Sequence, residues 1–168
     1  MIYHEFHELK LSALGFGTMR LPLIPGGGEQ DIDQETLDRM VDCAVSGGVN
    51  YFDTAYPYHG GCSELAIGKS LARYPRESFY LADKFPGHQI VKGVKKLDPE
   101  TVFEEQLKKC GVEYFDFYLL HNINEHSMSY YGNPENKYLD YFLEQKANGR
   151  IKHLGFSCHS AAEGLEEF

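Results

Sequence analysis

The sequence has no surplus of basic charge: among its 168 residues, 16 Lys and Arg stand against 25 Asp and Glu, a formal net charge of −9, with a pI of about 5.3. That balance excludes nucleic acid and membrane as expected partners, since surfaces that meet either are usually basic. Long apolar runs are missing as well, and none of those present is long enough to cross a bilayer. The N-terminus, Met1-Ile2-Tyr3-His4-Glu5, lacks the basic and apolar regions of a secretory signal, so a cytoplasmic location is expected. Cysteine is sparse: Cys43, Cys62, Cys110 and Cys158 are scattered without CxxC spacing, which excludes a disulfide frame or a zinc site and leaves reduced thiols. His4, His7, His88 and His126 have no partner at metal-ligand spacing, and no metal is expected.

What is present is an ordinary globular composition, 42% apolar and 24% charged, arranged as a repeat. Short apolar runs at Leu14 to Thr18, Asn50 to Asp53, Phe79 to Asp83, Phe115 to Leu120 and His153 to Ser157 read as strands. Helical periods lie between them. Leu37, Met40, Val41, Ala44 and Val45 share one face of the first helix, which follows an acidic start at Asp31 to Glu35 and stops at Gly47-Gly48. A second helix spans Ser63 to Arg73. The third carries Phe103, Gln106, Leu107 and Cys110 on one face, with Asp98 as N-cap, Pro99 at N1, Lys108 and Lys109 near the end, then Gly111. A fourth runs from Tyr138 to Asn148, and a fifth opens at Ser160, where Glu163 completes a capping box. Leu9, Leu11 and Ala13 alternate with polar neighbours and predict a small N-terminal hairpin.

Alternating strands and helices predict a parallel sheet covered by helices, either doubly wound or a (β/α)8 barrel. A doubly wound dinucleotide fold calls for GxGxxG after the first strand, and Gly15-Phe16-Gly17-Thr18-Met19-Arg20 lacks the third glycine. The barrel is the better fit. Strand starts at 14 and 153 give a period of about 35 residues, so eight units need about 280, within the barrel range of about 200 to over 400. The expectation is therefore one partial barrel domain over residues 1–168, its first five βα units, truncated after the start of the fifth helix.

The polar residues at the ends of the strands carry the chemistry. Asp53 ends the second, Lys84 follows the third, His121 follows the fourth and Ser157 ends the fifth; in a parallel barrel these ends share the face where active sites are built. Tyr56 and Tyr58 supply candidate hydroxyls. A free phenol titrates near 10, and a neighbouring ammonium lowers that by about 1–3 units. Lys84 is the candidate ammonium, Asp53 the group that holds it, and neutral His121 a hydrogen-bond donor to a substrate oxygen. That set is a proton donor facing a polarised carbonyl. No Ser or Cys stands beside His and Asp at a nucleophile's motif spacing, which excludes acyl transfer.

The chain resembles the N-terminal part of the aldo-keto reductase family. The resemblance rests on Leu14-Gly15-Phe16-Gly17-Thr18-Met19, on Phe52-Asp53-Thr54-Ala55 with Tyr58 and Ser63-Glu64, on Lys84 after Leu81-Ala82-Asp83, on Leu119-Leu120-His121, and on Ile151-Lys152-His153-Leu154-Gly155-Phe156-Ser157. It implies a (β/α)8 barrel that reduces aldehydes and ketones by hydride transfer from NADPH or NADH. Tyr58, five residues beyond the aspartate, is then the general acid, Lys84 its partner, Asp53 the support of Lys84, and His121 the group that orients a small carbonyl substrate. Gly17, Thr18 and Met19 match the loop beside the nicotinamide ribose, with Asp53 near it. At the fifth strand Ser157 carries over as a nicotinamide contact, while Cys158 stands where better-known members have asparagine. The ending Gly155-Phe156-Ser157-Cys158-His159 resembles the branch with a C-terminal ferredoxin-like iron–sulfur domain, whose cysteine cluster is absent here. His159 is open to two readings, a replacement donor for the lost amide or an exposed helix-start residue.

Two alternatives remain. One is a barrel metallohydrolase with Asp53, His121 and His159 as ligands. The other is a catalytically incomplete half-barrel that self-associates through its exposed sheet edges. The stretch from Asn122 to Lys137, with Tyr130 and Tyr131, reads as a substrate-covering loop or a surface loop. Pro25-Gly26-Gly27-Gly28 reads as a turn.

Overall fold

The structure, a computed structural model, describes residues 1–87, 89 and 97–160. The helix expected from Ser160 and the histidine at 88 lie outside the described residues. The chain opens with an antiparallel hairpin, β1 (Tyr3–Phe6) and β2 (Leu9–Ser12). Five strands follow: β3 (Phe16–Gly17), β4 (Tyr51–Asp53), β5 (Tyr80–Phe85), β6 (Phe115–Ile123) and β7 (Ile151–Cys158). They form one sheet in chain order, every neighbouring pair parallel. A doubly wound sheet reverses its strand order at a switch point; this one adds each βα unit on the same side, as a barrel does.

Helices α1 (Gln34–Ser46), α2 (Ser63–Leu71), α3 (Pro99–Cys110), α4 (Met128–Tyr131) and α5 (Tyr138–Ala147) fill the connections. Their ends follow local chemistry. The Asp33 carboxylate accepts the Thr36 N–H at 3.0 Å to start α1, and Asp98 does the same for Thr101 at 2.8 Å to start α3. Pro99 lies in the first turn of α3, and Gly111 closes it at φ 67°, a left-handed position that strains any residue with a Cβ. Between sheet and helices lies an apolar core built on Leu37, Val41, Phe52, Ile67, Phe103 and Phe142. Each such side chain contributes about 1.5–3 kcal/mol on burial. Met40, expected on the core face of α1, is instead exposed, and lines a shallow groove with Met1 and Leu14.

Two strands run further than their apolar residues suggest. Lys84 lies inside β5, opposite Leu119, and Phe85 is opposite Leu120; β6 likewise continues through His121 to Ile123, opposite Cys158. The apolar run ends but the neighbouring strand still offers ladder partners. In the other direction β3 is only two residues long, because β4, its partner, is short.

The hairpin closes the N-terminal end of the sheet. Asn50, just before β4, accepts the Ser12 N–H at 2.8 Å and donates to Lys10 O at 2.9 Å. Phe6 packs on Phe117 with ring centroids 5.6 Å apart, and His7 stacks on His153 at 5.8 Å. The C-terminal strand ends are left for the polar cluster. No helix among the described residues is long and apolar enough to cross a membrane.

Candidate active site

Asp53, Tyr58, Lys84 and His121, from four different elements, come together at the C-terminal ends of the strands. Asp53 is the last residue of β4, Tyr58 opens a 3-10 turn five residues on, Lys84 is in β5 and His121 in β6. The Lys84 ammonium is buried and donates to Asp53 Oδ1 at 2.5 Å, Thr54 O at 2.7 Å and Tyr58 Oη at 3.4 Å. Three acceptors around three N–H groups fix its direction. The Tyr58 ring stands edge-on to His121, centroids 5.7 Å apart and planes at 83°.

Tyr56 goes elsewhere. Its hydroxyl donates to Glu105 Oε2 at 3.3 Å on α3, under the Lys109 ammonium. Burial and then the Glu105 charge push its phenol up from the usual value. Of the two candidate phenols, only Tyr58 meets Lys84.

A line of hydroxyls supports this corner. Thr54 Oγ1 and Ser63 Oγ are 3.0 Å apart, Ser63 donates to Thr18 Oγ1 at 2.7 Å, and Thr18 donates to Asp53 O at 3.0 Å. Thr18 is fully buried, so its hydroxyl is committed within the protein. Gly17 pairs with Asp53 across the sheet, and Met19 is exposed. Ser157 and Cys158 lie on β7, at the other edge from Gly17. Ser157 Oγ accepts the Asn122 N–H at 2.8 Å where the β6–β7 register shifts, and Cys158 is half-buried. His159 is exposed, its N–H donated to Ile123 O at 2.9 Å.

Two supporting residues have roles that the sequence did not indicate. His59, at φ 53°, is buried; its Nε2 accepts the Leu21 N–H at 2.9 Å, so Nδ1 carries the hydrogen that reaches Glu29 O at 2.8 Å. One ring thus pins the β3–α1 connection against the turn that carries Tyr58. Tyr131 is the other. The segment from Asn122 to Lys137 contains the end of β6 and α4, and from it the buried Tyr131 hydroxyl reaches His121 O at 2.8 Å and Phe85 O at 3.1 Å. Pro25 to Gly28 forms the expected turn, with Gly28 N donating to Asp31 Oδ2 at 2.7 Å. Among the described residues no three His, Cys, Asp or Glu are grouped to hold a metal ion, and the Asp53 carboxylate that the metallohydrolase reading needs is paired with Lys84.

The chain is similar to several known proteins. A probable aldo-keto reductase 1 of Glycine max is 29% identical over 88% of this chain and 42% of its own length. An NADH-specific methylglyoxal reductase of Escherichia coli is 28% identical over 96% of this chain and 52% of its own. The solved aldo-keto reductase AKR11C1 of Bacillus halodurans, in its holo form, superposes with a TM-score of 0.70 at 26% identity, over 94% of this chain and 50% of that one. The chain spans about half the length of these relatives, and its five parallel strands are part of a (β/α)8 barrel. The Aldo/keto reductase family profile matches residues 13–168, and the chain belongs to that family.

Proposed function

We propose that the whole protein reduces a small aldehyde or ketone with NADPH or NADH, and that Tyr58 is the general acid. The observation that carries this reading is the Lys84 ammonium, held by Asp53 and Thr54 O with Tyr58 Oη as its third acceptor. A positive charge fixed beside a phenol favours the phenolate that remains once the proton has gone. Tyr58 gives its proton to the carbonyl oxygen as negative charge develops there, and His121, edge-on to Tyr58, donates a hydrogen bond to the same oxygen. Asp53 keeps Lys84 aimed.

A nicotinamide cofactor fits the residues present. Gly17 leaves open space where a side chain would stand, with nothing within 4 Å of a Cβ, beside Asp53. Gly17, Met19 and Asp53 on one side, and Ser157 and Cys158 on the other, are the residues that would hold it, with the buried Thr18 behind them bonded to Asp53 O. When bound, it supplies the hydride for the carbonyl carbon. The family and the NADH-specific relative support this cofactor class. Replacing Tyr58 with Phe is expected to cut turnover of a small aldehyde about 10²–10⁴-fold with the fold unchanged by circular dichroism. An unchanged rate overturns the assignment.

A further inference from the structure

Asp83 and Lys84 are adjacent on β5, and strand alternation turns them to opposite faces of the sheet. Lys84 faces the candidate site. Asp83 faces the helices, where it is fully buried next to another fully buried carboxyl, Glu64 of α2. Charged and titratable groups of the described residues face this pair from α3, β6 and β5, and the Tyr56 phenol beyond β4 also feels the Glu64 charge. From α3, Gln106 Nε2 donates to Glu64 Oε1 at 2.8 Å, Lys109 Nζ donates to Glu64 Oε2 at 3.1 Å, and the Cys110 thiol faces Asp83 Oδ2 at 3.8 Å. Lys109 is shared with Glu105 at 2.9 Å. From β6, Tyr118 donates to Gln106 Oε1 at 2.5 Å. On β5 itself, the Lys84 N–H donates to Asp83 Oδ1 at 2.8 Å, while its ammonium is across the sheet on Asp53.

Among the described residues, two dry carboxyls therefore meet a single cation that also serves a third. Both ionised at once would be costly. Glu64 has the donors suited to a carboxylate, an ammonium and an amide. Asp83 has a main-chain N–H and a thiol, and as an acid it can donate to Glu64. Burial and the Glu64 charge push the Asp83 carboxyl well above its usual range, and burial also raises Cys110 and Tyr118, which stay protonated.

The pair also grips the main chain of Lys84. Pairing of β4 with β5 ends at Asp53 opposite Ala82, two residues short of Lys84. Where the next β4 residue would bond, the Asp83 carboxyl takes the Lys84 N–H, and Gln106 Nε2 donates to Lys84 O at 3.2 Å. We propose that Asp83 is a positioning residue, a neutral carboxylic acid sharing its proton with Glu64, which together with Gln106 fixes the backbone from which Lys84 reaches Tyr58. Its importance for catalysis rests on the reading of Lys84 given above; its protonation and its grip on Lys84 do not.

An acid whose folded pKa is raised binds more protons in the native state, so its contribution to stability is present below the unfolded value near 4 and is lost as pH rises toward the folded one. Asp83→Asn keeps both hydrogen bonds with no proton to lose, so its melting temperature relative to the native protein should climb by a few degrees between pH 5 and pH 8. A flat difference overturns the proposal. Infrared spectra of the native protein at pH 7 should contain a carboxylic-acid carbonyl band that Asp83→Asn lacks; no band, or one that survives the substitution, overturns it. If Asp83→Asn does not fold, absence of the band from the native spectrum still overturns the proposal. Exchange of the Lys84 amide should be slow in the native protein and in Asp83→Asn and fast in Asp83→Ala; equal protection in all three refutes the positioning role. None of these readouts depends on turnover, so they separate this proposal from the failure of the carbonyl-reduction reading.

Discussion

On the inner face of β5 one carboxylate meets one ammonium, Asp53 with Lys84 at 2.5 Å. On the outer face, one residue away, Asp83 and Glu64 depend on Lys109, which Glu105 also uses. The inner pair keeps contact with water, since the Asp53 side chain is 28% exposed, whereas Glu64 is completely buried. A balanced pair at a partly open mouth is free to serve chemistry through its third neighbour, Tyr58. A closed cluster with more carboxyls than cations has to settle its charge by holding a proton. The same two residue types thus do different work according to whether solvent can relax them.

The sharpest way to break this distinction is to remove each lysine in turn. Lys109→Met leaves Glu64 buried without a cation, and breaking a buried pair costs about 3–5 kcal/mol. Because Lys109 is itself 22% exposed, the lower end, about 3 kcal/mol, is expected. The deficit should be larger at pH 8 than at pH 5, where the stranded carboxyl takes up a proton. Lys84→Met leaves Asp53 able to hydrate and should cost clearly less stability while abolishing most turnover. Denaturant unfolding of both variants checks this, and equal losses would mean that exposure does not separate the two faces.

The outer cluster also requires α2 and α3 to approach closely. A Cβ on Gly68 of α2 would come within 2.7 Å of Cys110 O and 2.8 Å of its Cα, and backbone cannot swing aside. Gly68→Ala is therefore expected to destabilise by about 1–3 kcal/mol through overpacking, against the gain of a few tenths to one that alanine usually brings in a helix. A neutral or stabilising result would mean that the helices have room, and that the Glu64–Gln106 contact is not set by their approach.

The inner face was the more legible of the two. Asp53, Lys84 and His121 interrupt apolar runs at a regular spacing, so topology alone predicted their meeting. The capping signals of α3 were equally open to reading, because Asp98, Pro99 and Gly111 act through their own backbone neighbourhood. The outer cluster was not. Asp83 looked like the polar end of a strand, yet β5 continues to Phe85. Glu64 looked like a family motif residue, and nothing local says that α2 and α3 enclose it. His59 was equally silent, since its role depends on a left-handed backbone that aims the ring at Leu21. Contacts across elements are legible where the strand repeat brings the residues to one end of the sheet, as for Asp53, Lys84 and His121, and leave little trace where they depend on how two helices pack, as for Glu64 and Gln106.

Tyr131 tests whether the inner face extends into the β6–α5 connection. Its hydroxyl stands between His121 O and Phe85 O, the main-chain oxygens where β6 and β5 leave the site. Tyr131→Phe keeps the ring in its place and removes that bridge, a loss of about 1 kcal/mol for one hydrogen bond. If the bridge sets the presentation of His121, KM for a carbonyl substrate should rise while kcat changes little. An unchanged KM with the same small loss of stability would place Tyr131 with the packing of the outer layer, and confine the inner cluster to the ends of β4, β5 and β6.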